Sequence, residues 1–250
     1  MRARAVLPDG TLHHVSASQV KTFSKCQRKW YFEKVLRAVD NSSTSARSTG
    51  TALHKEVENW YSGGTPVESA LARAGVDGGL PLRTVGMGTE VPLTAPVLYS
   101  DGDVPWEGSI DLLIPPSLMH PTDTSGVWII DHKTTKDFAY SLTTRTLATD
   151  IQMQVYAYWA VLRYYGVEGL HNPELKIKLS HAVYHTRPET LKKGQAGFRM
   201  ITIEVSAEKL LPFWEEMENT VRAMKKVARL PVVTDVPADS SQRECWAYGG

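Results

Sequence analysis

The sequence is poor in cysteine, with only Cys26 and Cys245, near opposite ends of a chain of 250 residues. So low a count excludes a disulfide-dense scaffold, and the wide separation excludes a paired Cys-x-x-Cys zinc site. A reducing, cytoplasmic setting is the expectation. Long apolar runs are missing too. Nothing approaches the roughly 18 apolar residues of a membrane span. The opening MRARAVLPDG offers only Ala5 to Leu7 before Pro8, too little for the apolar centre of a secretory signal. No membrane partner is expected. An excess of one charge is also lacking: 28 Lys and Arg face 27 Asp and Glu, a net charge of +1. No whole-molecule field therefore selects a nucleic acid or an anionic surface, and any basic surface must be local. What remains is an ordinary globular composition, 42% apolar and 22% charged, long enough for one large domain or two small ones.

Periodicity divides the chain. Ser16-Ala17-Ser18-Gln19 has the form of a capping box, and Val20, Phe23, Gln27, Trp30 and Tyr31 follow at helical spacing, which predicts a helix over 18–37. Residues 41–50, NSSTSARSTG, have no apolar period and read as a loop. A second helix is expected from Thr51 to Gly63-Gly64, with Leu53, Val57, Trp60 and Tyr61 inward, and a short third from Pro66 to Ala74. The period then shortens. Glu90 to Tyr99, Val104 to Ile114 and Val127 to His132 read as three strands, the first two a hairpin. Asp150 to Tyr165 is helical again, stopped by Gly166. Two further strands at Lys176–His185 and Phe198–Val205 and a helix from Ser206 to about Leu230 complete the pattern. Helices, three strands, helix, two strands, helix is an α/β order whose central sheet is mixed rather than doubly wound.

Charged residues inside apolar strands are costly unless they are paired or bind a metal. Asp111 interrupts SIDLLI, and 20 positions later the apolar run Val127-Trp128-Ile129-Ile130 delivers Asp131, His132 and Lys133. Residues two apart on a strand share a face, so Asp131 and Lys133 point together and His132 points away. Two carboxylates from neighbouring strands with an ammonium beside them suit a hard divalent cation. Such a lysine can orient or deprotonate a metal-bound water, or neutralise charge on a phosphate.

With these residues the chain resembles the PD-(D/E)XK nucleases, in particular their RecB-like exonuclease branch. The Ser-rich helix SASQVKTFSKCQRKWYF, the Gly50-Thr51-Ala52-Leu53-His54 helix start, Gly108-Ser109-Ile110-Asp111, Asp131-His132-Lys133-Thr134 and a Q-x-x-x-Y helix occur in the branch's order. The resemblance implies a restriction-endonuclease-like core, a central mixed sheet flanked by helices with an N-terminal helical subdomain. It implies a single nuclease domain over 1–250, helical over 1–75, α/β over 76–230 and a tail over 231–250. It further implies that His54, Asp111, Asp131 and the backbone carbonyl of His132 bind Mg²⁺ or Mn²⁺, that Lys133 is the catalytic lysine, and that Glu90 is an auxiliary acid. The implied activity is a metal-dependent DNA exonuclease acting on single strands or DNA ends in recombination, repair or phage DNA processing. A helicase or recombination protein is an implied partner. The alternative is a nuclease fold kept as a DNA-binding or interaction module within a helicase or CRISPR-adaptation complex.

Three features stay open at this point. IQMQVYAYW contains two Q-x-x-x-Y frames, Gln152/Tyr156 and Gln154/Tyr158, on faces about 200° apart at ~100° per residue; family spacing favours the first. Lys21, Lys25, Arg28 and Lys29 lie in a segment with six basic residues and one acid between Lys21 and Arg37, a candidate nucleic-acid-binding stripe. Its alternative is a solvated face with the aromatics in the core. Finally, relatives with a 4Fe–4S cluster use four cysteines. Cys26 and Cys245 occupy two such places, so a cluster requires further cysteines beyond Gly250; otherwise they are two unrelated buried thiols.

Overall fold

The computed structural model describes residues 4–38, 45–120, 123, 125–191, 196–238 and 245. In chain order the helices are α1 (Ala17–Lys25), α2 (Gln27–Trp30), α3 (Ser45–Gly63), α4 (Ala70–Gly78), α5 (Thr144–Leu147), α6 (Ile151–Gly169) and α7 (Leu210–Ala228). The strands are β1 (Gly88–Pro92), β2 (Tyr99–Ser100), β3 (Val104–Pro105), β4 (Ser109–Ile114), β5 (Ser125–Thr135), β6 (Lys176–His185) and β7 (Phe198–Ser206). They fall into two compact units, one of Met1–Ser42, Leu93–Gly108 and Leu211–Gly250, the other of Ser43–Pro92 and Ser109–Leu210.

The second unit holds a five-stranded mixed sheet in the order β1-β4-β5-β6-β7. Only β5 and β6 run parallel, joined through α5 and α6; β1 with β4, β4 with β5 and β6 with β7 are antiparallel. This is the mixed, helix-flanked α/β sheet expected from the sequence. One face of it is apolar. Leu112 and Ile114 of β4, Ile130 of β5, Ala182 and Tyr184 of β6 and Phe198 of β7 bury against Leu53, Val57 and Tyr61 of α3 and Ala72 of α4. Leu53, Val57 and Tyr61 recur every fourth residue and so form one stripe, each burial contributing on the order of 1.5–3 kcal/mol. The helix–sheet approach is close at α4, where a Cβ on Gly75 would stand 2.8 Å from the Tyr184 hydroxyl oxygen.

Several boundaries differ from the sequence expectation. Helix α3 begins at Ser45, inside the stretch read as a loop; residues 41–44 of that stretch lie outside the described residues. Packing of the Leu53 stripe carries the helix back through Ser and Thr residues whose own propensity is only moderate. Helix α4 starts at Ala70 rather than at Pro66, because the Ser69 hydroxyl caps the Ala72 N–H and Glu56 accepts from the N–H groups of Glu68 and Ser69. At its other end the helix runs on past Ala74 to Gly78, and Gly79 takes the left-handed conformation that ends it, at φ 117°. The expected hairpin exists as β1 and β4, but Leu93–Gly108 leaves the sheet between them and forms the separate pair β2 and β3 in the first unit. Gly166, at φ 66°, breaks α6 where the stop was expected.

In the first unit the expected single helix over 18–37 is divided at Cys26, whose extended backbone ends α1 and whose sulfur accepts from the Lys29 N–H to start α2. A π-helical turn over Tyr31–Val35 follows. Trp30 and Tyr31 are in the core, as the solvated-stripe reading expects, and the Tyr31 hydroxyl donates to the Leu230 carbonyl at 2.6 Å. The Arg28 guanidinium donates twice to the Val236 carbonyl, at 2.9 and 3.1 Å, so one member of the basic stripe ties down the segment after α7. Cys26 and Cys245 are joined in a disulfide. They are therefore not unrelated thiols, and with both sulfurs in one bond the conditional iron–sulfur assignment has no free thiolate among the described residues. No helix among the described residues is long and apolar enough to cross a membrane.

Candidate active site

The site grows from a fork in the sheet. Pairing of β4 with β5 stops at Leu112 opposite Ile130, and beyond that point the strands diverge. Divergence frees backbone groups that need partners. The Asp111 carboxylate accepts from the orphaned His132 N–H at 2.7 Å, and the His132 carbonyl is met by His54 Nε2 of α3 at 2.9 Å. A carbonyl only accepts, so Nε2 carries the proton. In the neutral ring His54 Nδ1 then holds a lone pair; it stands 3.6 Å from Asp111 Oδ2.

Glu90 completes one side of the fork. It is the one β1 residue with a positive φ, 47°, a conformation that costs a non-glycine residue of order 1 kcal/mol or more. The Ser109 hydroxyl donates to its Oε2 at 2.8 Å. Ligand atoms of His54, Glu90 and Asp111 lie within 4.8 Å of one another. Two carboxylates and an imidazole lone pair form a hard, oxygen-rich donor set that fits Mg²⁺ or Mn²⁺ better than a thiophilic metal.

Asp131 sits on the face opposite the core and is 1% exposed. Lys133 Nζ is 2.6 Å from its Oδ2, the Gln152 amide of α6 donates to its Oδ1 at 2.9 Å, and His181 Nε2 of β6 is 3.6 Å from Oδ2. Burial pushes the Asp131 carboxyl up, but Lys133 and His181 outweigh it and hold it ionised below the ordinary range. The same pairing shifts Lys133 up, because Asp131 and Asp111 overcome the cost of its own burial. Asp111, unlike Asp131, is raised. Burial first and repulsion from Asp131 second raise it well above an ordinary carboxyl, despite its bond from the His132 N–H.

The Gln152/Tyr156 frame is the one that faces this site. The Gln152 amide nitrogen donates to Asp131 and to the Tyr156 hydroxyl, each at 2.9 Å, while Lys133 Nζ donates to Gln152 Oε1 at 3.3 Å. Gln154 turns back to the Ala148 carbonyl. Gln152→Ala should therefore lower activity roughly ten- to a hundredfold by loosening Asp131 and Lys133 together, and Gln154→Ala should stay within about threefold; parallel steady-state kinetics of the two variants check this.

Of the residues singled out in the sequence, His54, Glu90, Asp111, Asp131, Lys133, Gln152 and Tyr156 are brought to the fork. The His132 carbonyl is there too, engaged with His54 rather than open. Lys21, Lys25, Arg28 and Lys29 belong to the other unit. Sequence reasoning missed His181 and Tyr184. The His132 ring, on the core face, is hydrogen-bonded through Nδ1 to the Tyr184 hydroxyl at 3.1 Å, and burial lowers its pKa to about 3, so it stays neutral and anchors the strand that carries its neighbours. The available signal was a pair of polar residues, Ser180 and His181, interrupting the apolar strand KIKLSHAVYH.

Comparison with known proteins follows the same lines. A model of the PD-(D/E)XK nuclease superfamily matches residues 14–77, the stretch that carries His54 but none of Asp111, Asp131 and Lys133. A solved structure from Eubacterium rectale named "Putative exonuclease" shares the fold with a TM-score of 0.52 at 13% identity, over 95% of this chain and 88% of that one. The structure of LHK-Exo in complex with dAMP aligns with a TM-score of 0.46 at 17% identity, over 87% of this chain and 90% of that one. No curated protein matches. Over residues 14–77 the chain resembles the PD-(D/E)XK nuclease superfamily, and over nearly its whole length it shares the fold of the Eubacterium rectale structure.

Proposed function

We propose that the protein is a metal-dependent DNA exonuclease that hydrolyses phosphodiester bonds in single strands or at DNA ends. The observation that carries this reading is the fork itself. There a buried, ionised Asp131 and its lysine stand beside a second cluster of His54, Glu90 and Asp111. A pure binding module needs no such set, in which one charge, Asp131, is held fully buried beside a second carboxylate.

In this reading His54 Nδ1, Glu90 and Asp111 hold Mg²⁺ or Mn²⁺, with Asp131 completing the acidic lining. A divalent cation at such a site supplies Lewis acidity toward a phosphoryl oxygen and acidifies a bound water. The protein's own groups do the positioning. His54 is held in one tautomer by the His132 carbonyl, so its lone pair faces the carboxylates at no further cost. Lys133, 2.6 Å from Asp131, is placed as an ammonium to donate to a phosphate oxygen and offset the charge that builds there. Gln152 fixes the distance between Lys133 and Asp131 from α6. Tyr156, whose hydroxyl burial keeps protonated, steadies Gln152 in turn.

The test uses one sequence in two topologies. Linear single-stranded DNA labelled at either end, and the same strand closed into a circle, are incubated with Mg²⁺ or Mn²⁺, with an RNA of equal sequence alongside. The expected result is stepwise loss of nucleotides from linear DNA with the circle intact. Cutting of the circle would make the enzyme an endonuclease, and preference for the RNA would overturn the assignment of DNA.

A further inference from the structure

We infer that Tyr140 is a stacking platform for an unpaired nucleobase next to the scissile phosphate; the inference rests on the nuclease reading of the fork. Tyr140 is 86% exposed, among the most exposed large side chains described, and it is not on a loose loop. It ends a 3₁₀ turn, Phe138–Tyr140, that follows β5 directly, a few residues beyond Lys133. That turn is a pedestal. The Asp137 carboxylate caps it by accepting from the Ala139 N–H at 2.9 Å, and Asp137 is itself tied to Thr135, whose hydroxyl donates to the Asp137 carbonyl at 2.6 Å. Phe138 is 8% exposed and packs with the His185 ring at 5.1 Å and beneath the Arg199 guanidinium at 4.6 Å. The Thr186 N–H donates to the Thr135 carbonyl at 2.8 Å, so the outgoing ends of β5 and β6 are locked together.

A rigid turn that buries one aromatic and holds the next in solvent gives up apolar burial at Tyr140 without any return among the described residues. Its setting names the chemistry of the return. Exposed Lys136, Arg187 and Arg199 lie on the same pedestal or on the strand ends that support it. Two acids oppose these three cations, Asp137, whose carboxylate accepts from the Ala139 N–H, and Glu189 in the adjoining Pro188–Thr190 turn. Cations for a phosphate backbone beside one accessible ring are the parts of a single-strand site. A base paired and stacked in a duplex has no free face for the ring, and an apolar protein partner would want a patch rather than one phenol among cations. The occupant that fits is a single-stranded nucleic acid, with one base on Tyr140 while its phosphate lies at Lys133.

The test is equilibrium binding of a fluorescent single-stranded 12-mer, in a Lys133→Ala background and in EDTA so that the strand is not consumed. Tyr140→Ala should weaken binding roughly 5- to 150-fold, Tyr140→Trp should not, and an abasic site walked along the strand should cost affinity at one position in the Tyr140 background and nothing there in Tyr140→Ala. Equal affinities within twofold, or an abasic profile unchanged by Tyr140→Ala, would overturn the inference. Melting curves should coincide, since the ring contributes no burial. With Lys133 present, a wild-type protein that cleaves no strand sinks the nuclease reading; a wild type that cleaves, alongside a Tyr140→Ala enzyme with unchanged KM, sinks only the stacking platform.

Discussion

Lys133→Ala should cut strand cleavage by roughly 10²- to 10³-fold or more while leaving Mn²⁺ binding within a few fold, because an ammonium is not a ligand. A second signature separates this from simple misfolding. Without Lys133 the Asp131 carboxylate, 1% exposed, loses the cation 2.6 Å away and keeps only Gln152 and His181. An uncompensated buried charge costs several kcal/mol, and the partly exposed position of the lysine reduces this to about 1–3 kcal/mol. The variant should therefore melt lower than wild type in EDTA and recover much of the difference when Mn²⁺ restores a positive charge. Titration calorimetry showing that Mn²⁺ affinity collapses with Lys133 would overturn its assigned role.

Asp111→Asn should do the reverse to stability. Asp111 is held near Asp131 and Glu90, and its pKa is raised by burial and by that repulsion. A carboxyl raised in the folded state binds its proton more tightly there than when unfolded. Stability is then greatest below the unfolded pKa and is lost as pH rises toward the folded value. Asparagine removes the charge and keeps an oxygen for the His132 N–H. In EDTA at neutral pH the variant should gain on the order of 1 kcal/mol, about 2–4 °C in Tm for a chain of this size, and the gain should vanish as pH falls below the ordinary carboxylate range. Cleavage and Mn²⁺ affinity should be lost together. A variant that is less stable than wild type at every pH, or that still cleaves, contradicts the like-charge cluster.

How much of this was legible in the sequence depended on how local the signal was. Asp111, Asp131 and Lys133 stand out because each breaks an apolar strand, a cost visible without a structure. Alternation alone separated the two faces, His132 from Asp131 and Lys133; which of them meets the core became visible only in the packing of Ile130 against α3. The divergence of β4 from β5 left no mark, since Ser109–Ile114 reads as one unbroken strand whether or not its partner stays beside it. Nor did the excursion over Leu93–Gly108, whose Val and Leu residues suit either sheet. The two Gln/Tyr frames were equivalent by period and separable only by what α6 faces: Asp131 for Gln152, the preceding turn for Gln154. The pairing of Cys26 with Cys245 joins residues 219 apart, a contact that no local pattern encodes.

The central claim is that the fork acts as one metal-dependent phosphodiesterase centre. Protein stripped with EDTA and then titrated with Mn²⁺ on end-labelled single-stranded DNA, wild type beside Asp131→Asn, tests it most directly. The account predicts release of labelled nucleotides only when the cation is restored and only from the wild type, with both proteins equally folded by circular dichroism. Cleavage that persists in EDTA, or that survives in Asp131→Asn, would contradict it.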